Sequence, residues 1–136
     1  MLENLTERAR RTLFFARYEA AQAGAVAIGS EHLLLGLLRE SDEIVEQLLQ
    51  HFQLSSDELR ADLGPAFRGS ETQTPAELPL AEDSRRILLL AAHEAEALGQ
   101  PAVGNEHVLL GILRLEGCVA ARALAKAGRC ARKTRS

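Results

Sequence analysis

Apolar positions near the start of the chain fall at Ala9, Leu13, Ala16, Ala20 and Ala23, at spacings of four, three, four and three. That is the stripe of a helix buried along one face. Thr6 stands before the stripe as an N-cap, and Gly24 follows it, where glycine adopts the left-handed C′ conformation without a Cβ penalty. A second helix opens at Ser30 with Leu33, Leu34, Leu37 and Leu38 inward. The cluster Ile44, Val45, Leu48, Leu49 and Phe52 predicts a third, and Ser55 with Glu58 has the S-x-x-E spacing of a capping box for a fourth.

The same pattern then recurs. "IGSEHLLLGLLR" at 28–39 returns as "VGNEHVLLGILR" at 103–114, an offset of 75, and over residues 5–39 against 80–114 about half the positions are identical. The second unit repeats the glycine stop at Gly99 and opens its second helix at Asn105, with Val108, Leu109, Ile112 and Leu113 inward. Residues 64–79 carry Gly64, Pro65, Gly69, Pro75 and Pro79 among polar residues, the composition of an exposed connector. The chain therefore divides into repeat one at 2–63, a linker at 64–79, repeat two at 80–128 and a basic tail at 129–136, all within one domain.

Composition narrows the class. With 136 residues, 46% hydrophobic but only 4% aromatic and no Trp, the core must be built from Leu, Ala, Ile and Val, which favours closely packed helices and an all-α fold of two pseudo-twofold related four-helix repeats. A net charge of -3 provides no global attraction to nucleic acid or to anionic lipid, and the basic "GRCARKTRS" ending reads as a solvated tail. Cys118 and Cys130 form no C-x-x-C pair, Glu3, Glu7 and Arg8 interrupt any secretory leader, and no apolar run approaches the roughly 20 residues of a membrane span. A soluble protein of a reducing cytoplasm is expected, with no nucleic-acid or membrane partner.

The duplicated G-[SN]-E-H phrase, placed after a glycine-terminated helix and ahead of an apolar run, resembles the paired repeat of the Clp ATPase N-terminal domain, over roughly residues 2–128. The resemblance implies a non-enzymatic docking module that presents adaptors and substrate proteins to a Clp ATPase ring, and in part of the family a reader of phosphorylated arginine. This chain departs from the family at Ser30 and Asn105, where Thr is usual, and at Ala81-Glu82, where a Thr-Pro pair is usual, so the second unit's first helix is less well capped. After Gly128 the family continues into another amphipathic helix, whereas "RCARKTRS" is too short and too charged, and the final helix is expected to be missing or shortened.

Local physics gives that reading a mechanism. Unpaired N–H groups and the positive macrodipole end at a helix start attract phosphate, Ser30 or Asn105 can add a donor, and Glu31 or Glu106 can accept from a guanidinium. The expected ligand set is Ser30, Glu31, Asn105 and Glu106. The same residues are also what any well-made helix start contains. His32 and His107 lack a second His at i+4 or a Cys at ligand spacing, so they are expected to be structural, each donating an N–H to a carbonyl. Cys118 is expected to be a buried thiol. No G-x-x-x-x-G-K-[ST] loop, catalytic constellation, metal site or cofactor motif is present, and any ATPase would lie in a longer parent chain or a partner. A structural oligomerisation domain, or a small hydrolase or metalloenzyme built on Glu31, His32, Glu106 and His107, are the alternatives.

An apolar groove between the halves is a further candidate surface. Successive Phe14 and Phe15 cannot both face the core squarely. Arg10, Arg11, Arg85 and Arg86 repeat across the units, placed either to assist anion binding or simply to hold carboxylates such as Glu7 and Glu82 on the helix surface.

Overall fold

Helix α1 (Glu7–Gln22) begins at Thr6, whose extended backbone turns its Oγ1 onto the N–H of Ala9 at 3.1 Å. Its buried face is small: Ala9, Thr12, Ala16, Ala20 and Ala21. Small side chains let a neighbour approach to backbone contact, and α2 (Ser30–Glu40) does so through Gly36. A Cβ at Gly36 would run into the carbonyl oxygen of Thr12 and lie 3.0 Å from the amide nitrogen of Ala16. Short α3 (Glu43–His51) and α4 (Ser56–Leu63) complete the first repeat, α3 capped by Asp42 and α4 by Ser55, whose Oγ accepts from Glu58 N–H at 3.3 Å.

The computed structural model describes residues 4–40, 42–63 and 78–126, and among these the fold is entirely helical apart from two single-residue bridges. The second repeat follows the first: α5 (Glu82–Ala97), α6 (Asn105–Arg114) and a helical stretch at residues 119–126, here α7. Gly111 plays the part of Gly36, since a Cβ there would sit 2.6 Å from Ile87 O and 3.2 Å from Ala91 N. Gly24 and Gly99 close α1 and α5 with φ of 73° and 71°, the left-handed conformation expected at both stops. Ala81 caps α5 without a side-chain hydrogen bond, as the departure at 81–82 predicts.

The halves interlock crosswise. Leu5, just before α1, bridges in parallel to Val103, just before α6, while Leu80, before α5, bridges to Ile28, before α2. Thr6 N–H donates to Val103 O at 2.9 Å and Val103 N–H to Asn4 O at 2.7 Å. The related pairs are Ala81 N–H to Ile28 O at 2.9 Å and Ile28 N–H to Pro79 O at 2.8 Å. Each partner is displaced by 75, so the repeats are related by a pseudo-twofold axis and one apolar core runs through both.

Three expected core positions differ. Ile44 on α3 and Phe52 at its C-cap are exposed, and within the helix only Val45 and Leu49 turn fully inward. A nine-residue helix lying on the surface has room for one narrow apolar stripe. Leu113 is 37% exposed although its counterpart Leu38 is 1% exposed. In repeat one α4 packs on α2 with Leu59 buried, whereas the stretch 75 residues on, 131–138, falls partly past Ser136 and otherwise outside the described residues. Residues 64–77 of the 64–79 linker and the tail also lie outside them, while Leu78, near the end of that linker, is buried and not exposed as a connector would be.

Candidate functional site

Each residue of the repeated G-[SN]-E-H phrase has a separate task. The glycine makes room: a Cβ at Gly29 would lie 2.5 Å from Glu31 Oε1, and one at Gly104 would lie 2.5 Å from Glu106 Oε1. Both acids therefore fold back over the turn that precedes them. Among the described residues neither carboxylate has an ion pair or a hydrogen bond, and both are half-buried with access to solvent.

The polar residue ties the turn to the other half. Ser30 is fully buried, and its Oγ accepts the N–H of Ala120 at 3.1 Å in the first turn of α7. Asn105 is equally buried. Its Oδ1 accepts the hydroxyl of Thr12 at 2.8 Å and its Nδ2 donates to Asp42 Oδ2 at 3.0 Å. Because a carboxylate only accepts, the Asp42 contact fixes which end of the amide points where. The side chains of Ser30 and Asn105 are thus committed to internal partners, and of the two phrases only Glu31 and Glu106 reach solvent.

The imidazoles close the turns from within. Nδ1 of His32 accepts the N–H of Gly29 at 2.9 Å, and Nδ1 of His107 accepts that of Gly104 at 2.8 Å. This reverses the expected direction. The ring does not donate to a carbonyl, because the N–H just ahead of the helix has no intrahelical acceptor and the ring three residues on is the nearest one. Burial lowers the pKa of His32, against the raising influence of Glu31, Glu19 and Asp83. A depressed pKa means that unfolded His32 binds a proton first as pH falls below its ordinary value of about 6.5, so stability is full above that pH and declines below it. Urea midpoints measured from about pH 8 down to about pH 5 should fall on the acid side, and the fall should be shallower in His32→Gln.

The two turns differ in what stands beside them. At α2, Asp83 from the first turn of α5 places Oδ2 3.3 Å from the N–H of Ser30, while its Oδ1 is buried with no partner among the described residues. The residue related to Asp83 by the 75-residue offset is Arg8. Arg8 reaches Glu40 at 3.3 Å and Asp42 at 3.7 Å through Nη1 alone, with about half of its side chain in solvent (52%). Among the described residues nothing accepts from the N–H groups of Asn105 and Glu106 at α6, whereas at α2 only that of Glu31 is open. Sequence reasoning singled out the four turn residues but missed Thr12, Asp42 and Asp83. The mismatch of Arg8 with Asp83 was visible when the repeats were aligned and was the one available signal.

Other expectations are placed as follows. Cys118 is buried, its Sγ contacting Ile112 O at 3.9 Å and accepting Ala121 N–H at 3.4 Å. Among the described residues no cluster of three His, Cys, Asp or Glu side chains suits a metal ion, and no helix is long and apolar enough to cross a membrane. Arg11 holds Glu7 and Arg86 holds Glu82, each at 3.3 Å on the helix surface. Phe14 is 62% exposed, while Arg39 covers the rings of Phe15 and Tyr18 at 5.3 and 5.0 Å. A groove of about 680 Å³ opens where α3 meets α6 and α7, lined by Leu49, Phe52, Leu54, Leu109, Leu113 and Leu124.

The profile of the Clp repeat (R) N-terminal domain matches residues 4–127. The chain is 39% identical to the Bacillus subtilis (strain 168) negative regulator of genetic competence ClpC/MecB, over 99% of this chain and 16% of that protein. It is 33% identical to the chloroplastic chaperone protein ClpC1 of Arabidopsis thaliana, over 94% of this chain and 14% of that protein. Similar folds are the N-terminal domain of the chaperone ClpD from Arabidopsis thaliana (TM-score 0.64, 20% identity, 93% and 98% of the two chains) and that of Hsp104 from Candida albicans (TM-score 0.66, 14% identity, 93% and 89%). The chain thus spans about one-sixth of the length of the curated relatives it matches.

Proposed function

The chain belongs to the Clp repeat N-terminal domain family, and from that premise we propose that it is a docking module, without catalytic chemistry of its own, that brings adaptors or substrate proteins to a Clp-type ATPase ring. The ring belongs to a longer parent chain or to a partner, and the setting is cytoplasmic. The division into two repeats joined by a connector at 64–79 is part of the same reading.

The finer reading is that client proteins are recognised by phosphorylated arginine. One observation carries it: Glu31 and Glu106 are acids without an internal partner among the described residues, each folded over a glycine and carrying a main-chain N–H with no acceptor among them. A guanidinium donates to the carboxylate while its phosphate meets the N–H groups, so both halves of the ligand find their complement within one turn. Ser30 and Asn105 belong to the site through the main chain of those turns, which their side chains hold in place.

Calorimetric titration of free phosphoarginine tests the assignment. Wild type should bind, and the double variant Glu31→Ala/Glu106→Ala should lose at least about tenfold in affinity, because charge-assisted hydrogen bonds of about 1.5–3 kcal/mol each are removed. Binding that ignores the double substitution would place the ligand elsewhere. An absence of heat from wild type would leave protein docking through another face, with the apolar groove beside Leu113 next in line.

A further inference from the structure

We infer that the two turns have diverged in specificity, so that the mouth of α6 accepts a phosphorylated guanidinium and the mouth of α2 excludes the phosphate. The inference rests on the phosphoarginine reading above and assigns it to one of the two positions.

At α2 the anion place is already taken by the protein. Asp83 Oδ2 sits on the N–H of Ser30 at 3.3 Å, as a phosphate oxygen would, and adds a second carboxylate to that of Glu31. Asp83 Oδ1, buried and without a partner among the described residues, is an unmet acceptor that suits a cation. His32, whose Nδ1 accepts the N–H of Gly29 and so carries no proton there, brings no compensating charge. A doubly charged phosphate would therefore meet two carboxylates and one remaining open amide. An unmodified guanidinium would meet two acceptors.

At α6 the signs are reversed. The N–H groups of Asn105 and Glu106 both lack an acceptor among the described residues, that of Glu106 on the residue that reaches solvent and that of Asn105 on a fully buried one, and the position related to Asp83 is held by Arg8. The acids on this side are already engaged: Glu40 by Arg8 at 3.3 Å and Arg11 at 3.5 Å, and Asp42 by Arg8, by Asn105 Nδ2 and by the N–H of Ile44. Arg8 uses only Nη1 for these contacts, so the rest of its guanidinium can turn to a phosphate while Glu106 takes the ligand's own guanidinium. Among the described residues nothing at α2 supplies an arginine in that place, which Asp83 occupies.

Titration of the full 136-residue chain with phosphoarginine, read by calorimetry and by amide shifts in nitrogen-15 spectra, tests this directly. The expected stoichiometry is one, with shifts at Gly104–Glu106 and none of comparable size at Gly29–Glu31. Glu106→Ala should weaken binding at least about tenfold, and by more than Glu31→Ala does. Asp83→Arg should raise the stoichiometry towards two. If that variant does not fold, the shift pattern of the wild type decides. Two equivalent sites in the wild type, or loss of binding in Glu31→Ala alone, overturns the divergence but leaves the phosphoarginine reading standing; no binding at either mouth overturns both.

Discussion

Asn105→Ala is expected to lower the unfolding free energy by about 3 kcal/mol, measured from urea midpoints at unchanged slope. The side chain is fully buried and stands between two groups that have lost their water. Without it the Thr12 hydroxyl has no acceptor at Oδ1, and Asp42 Oδ2 loses the Nδ2 donor. A carboxylate left short of a donor in a dry site carries more of that cost than a hydroxyl, which can rotate towards another acceptor. The related Ser30→Ala removes one acceptor from the first turn of α7, a cap worth about 1 kcal/mol. The ranking separates network from cap: equal losses at the two positions would mean that the Thr12–Asn105–Asp42 chain contributes nothing beyond an ordinary helix start.

Gly36→Ala should cost about 2 kcal/mol net, since overpacking against backbone costs about 3 kcal/mol and alanine's better helix propensity returns about 1 kcal/mol. The opposing groups are the carbonyl of Thr12 and the amide of Ala16, which cannot rotate away as a flexible side chain would. In a domain of this size the loss corresponds to a melting temperature lower by about 8 °C. Gly117 is the control, because nothing lies within 4 Å of a Cβ placed there. An unchanged melting temperature for Gly36→Ala would show that α1 and α2 have slack at their crossing, and the alanine face of α1 would then need another explanation.

Helix order, both glycine stops and the twofold relation were legible because they depend on short-range pattern: Thr6 before the Ala9–Ala20 stripe, Gly24 and Gly99 after it, and a phrase repeated at a fixed offset. What could not be read was which polar atoms the fold would bring together across 53 to 93 residues. Ser30 and Asn105 have the chemistry of ligand donors, and only the packing of α7 and α3 against their turns shows their side chains facing inward. At the two helix stops, glycine is read from the sequence as permission for an unusual backbone angle. At Gly24 and Gly99 that holds, but at Gly29, Gly36, Gly104 and Gly111 the missing Cβ serves volume instead, for a carboxylate or for another helix. Phe14, Phe15 and the Arg11–Glu7 and Arg86–Glu82 pairs behaved as the helical wheel dictates, since each depends only on neighbours three or four residues away.

The exchanged bridges at Leu5–Val103 and Leu80–Ile28 carry an ancestral implication. Neither half supplies the main-chain acceptors for its own leading residues, so a primordial single unit standing alone would have left those amides unsatisfied. Two identical units facing each other about a dyad would have satisfied all of them with the same bonds, making an isologous homodimer the natural precursor of this tandem gene. Within one chain, unlike within such a dimer, the two copies can differ, as positions 8 and 83 do in charge.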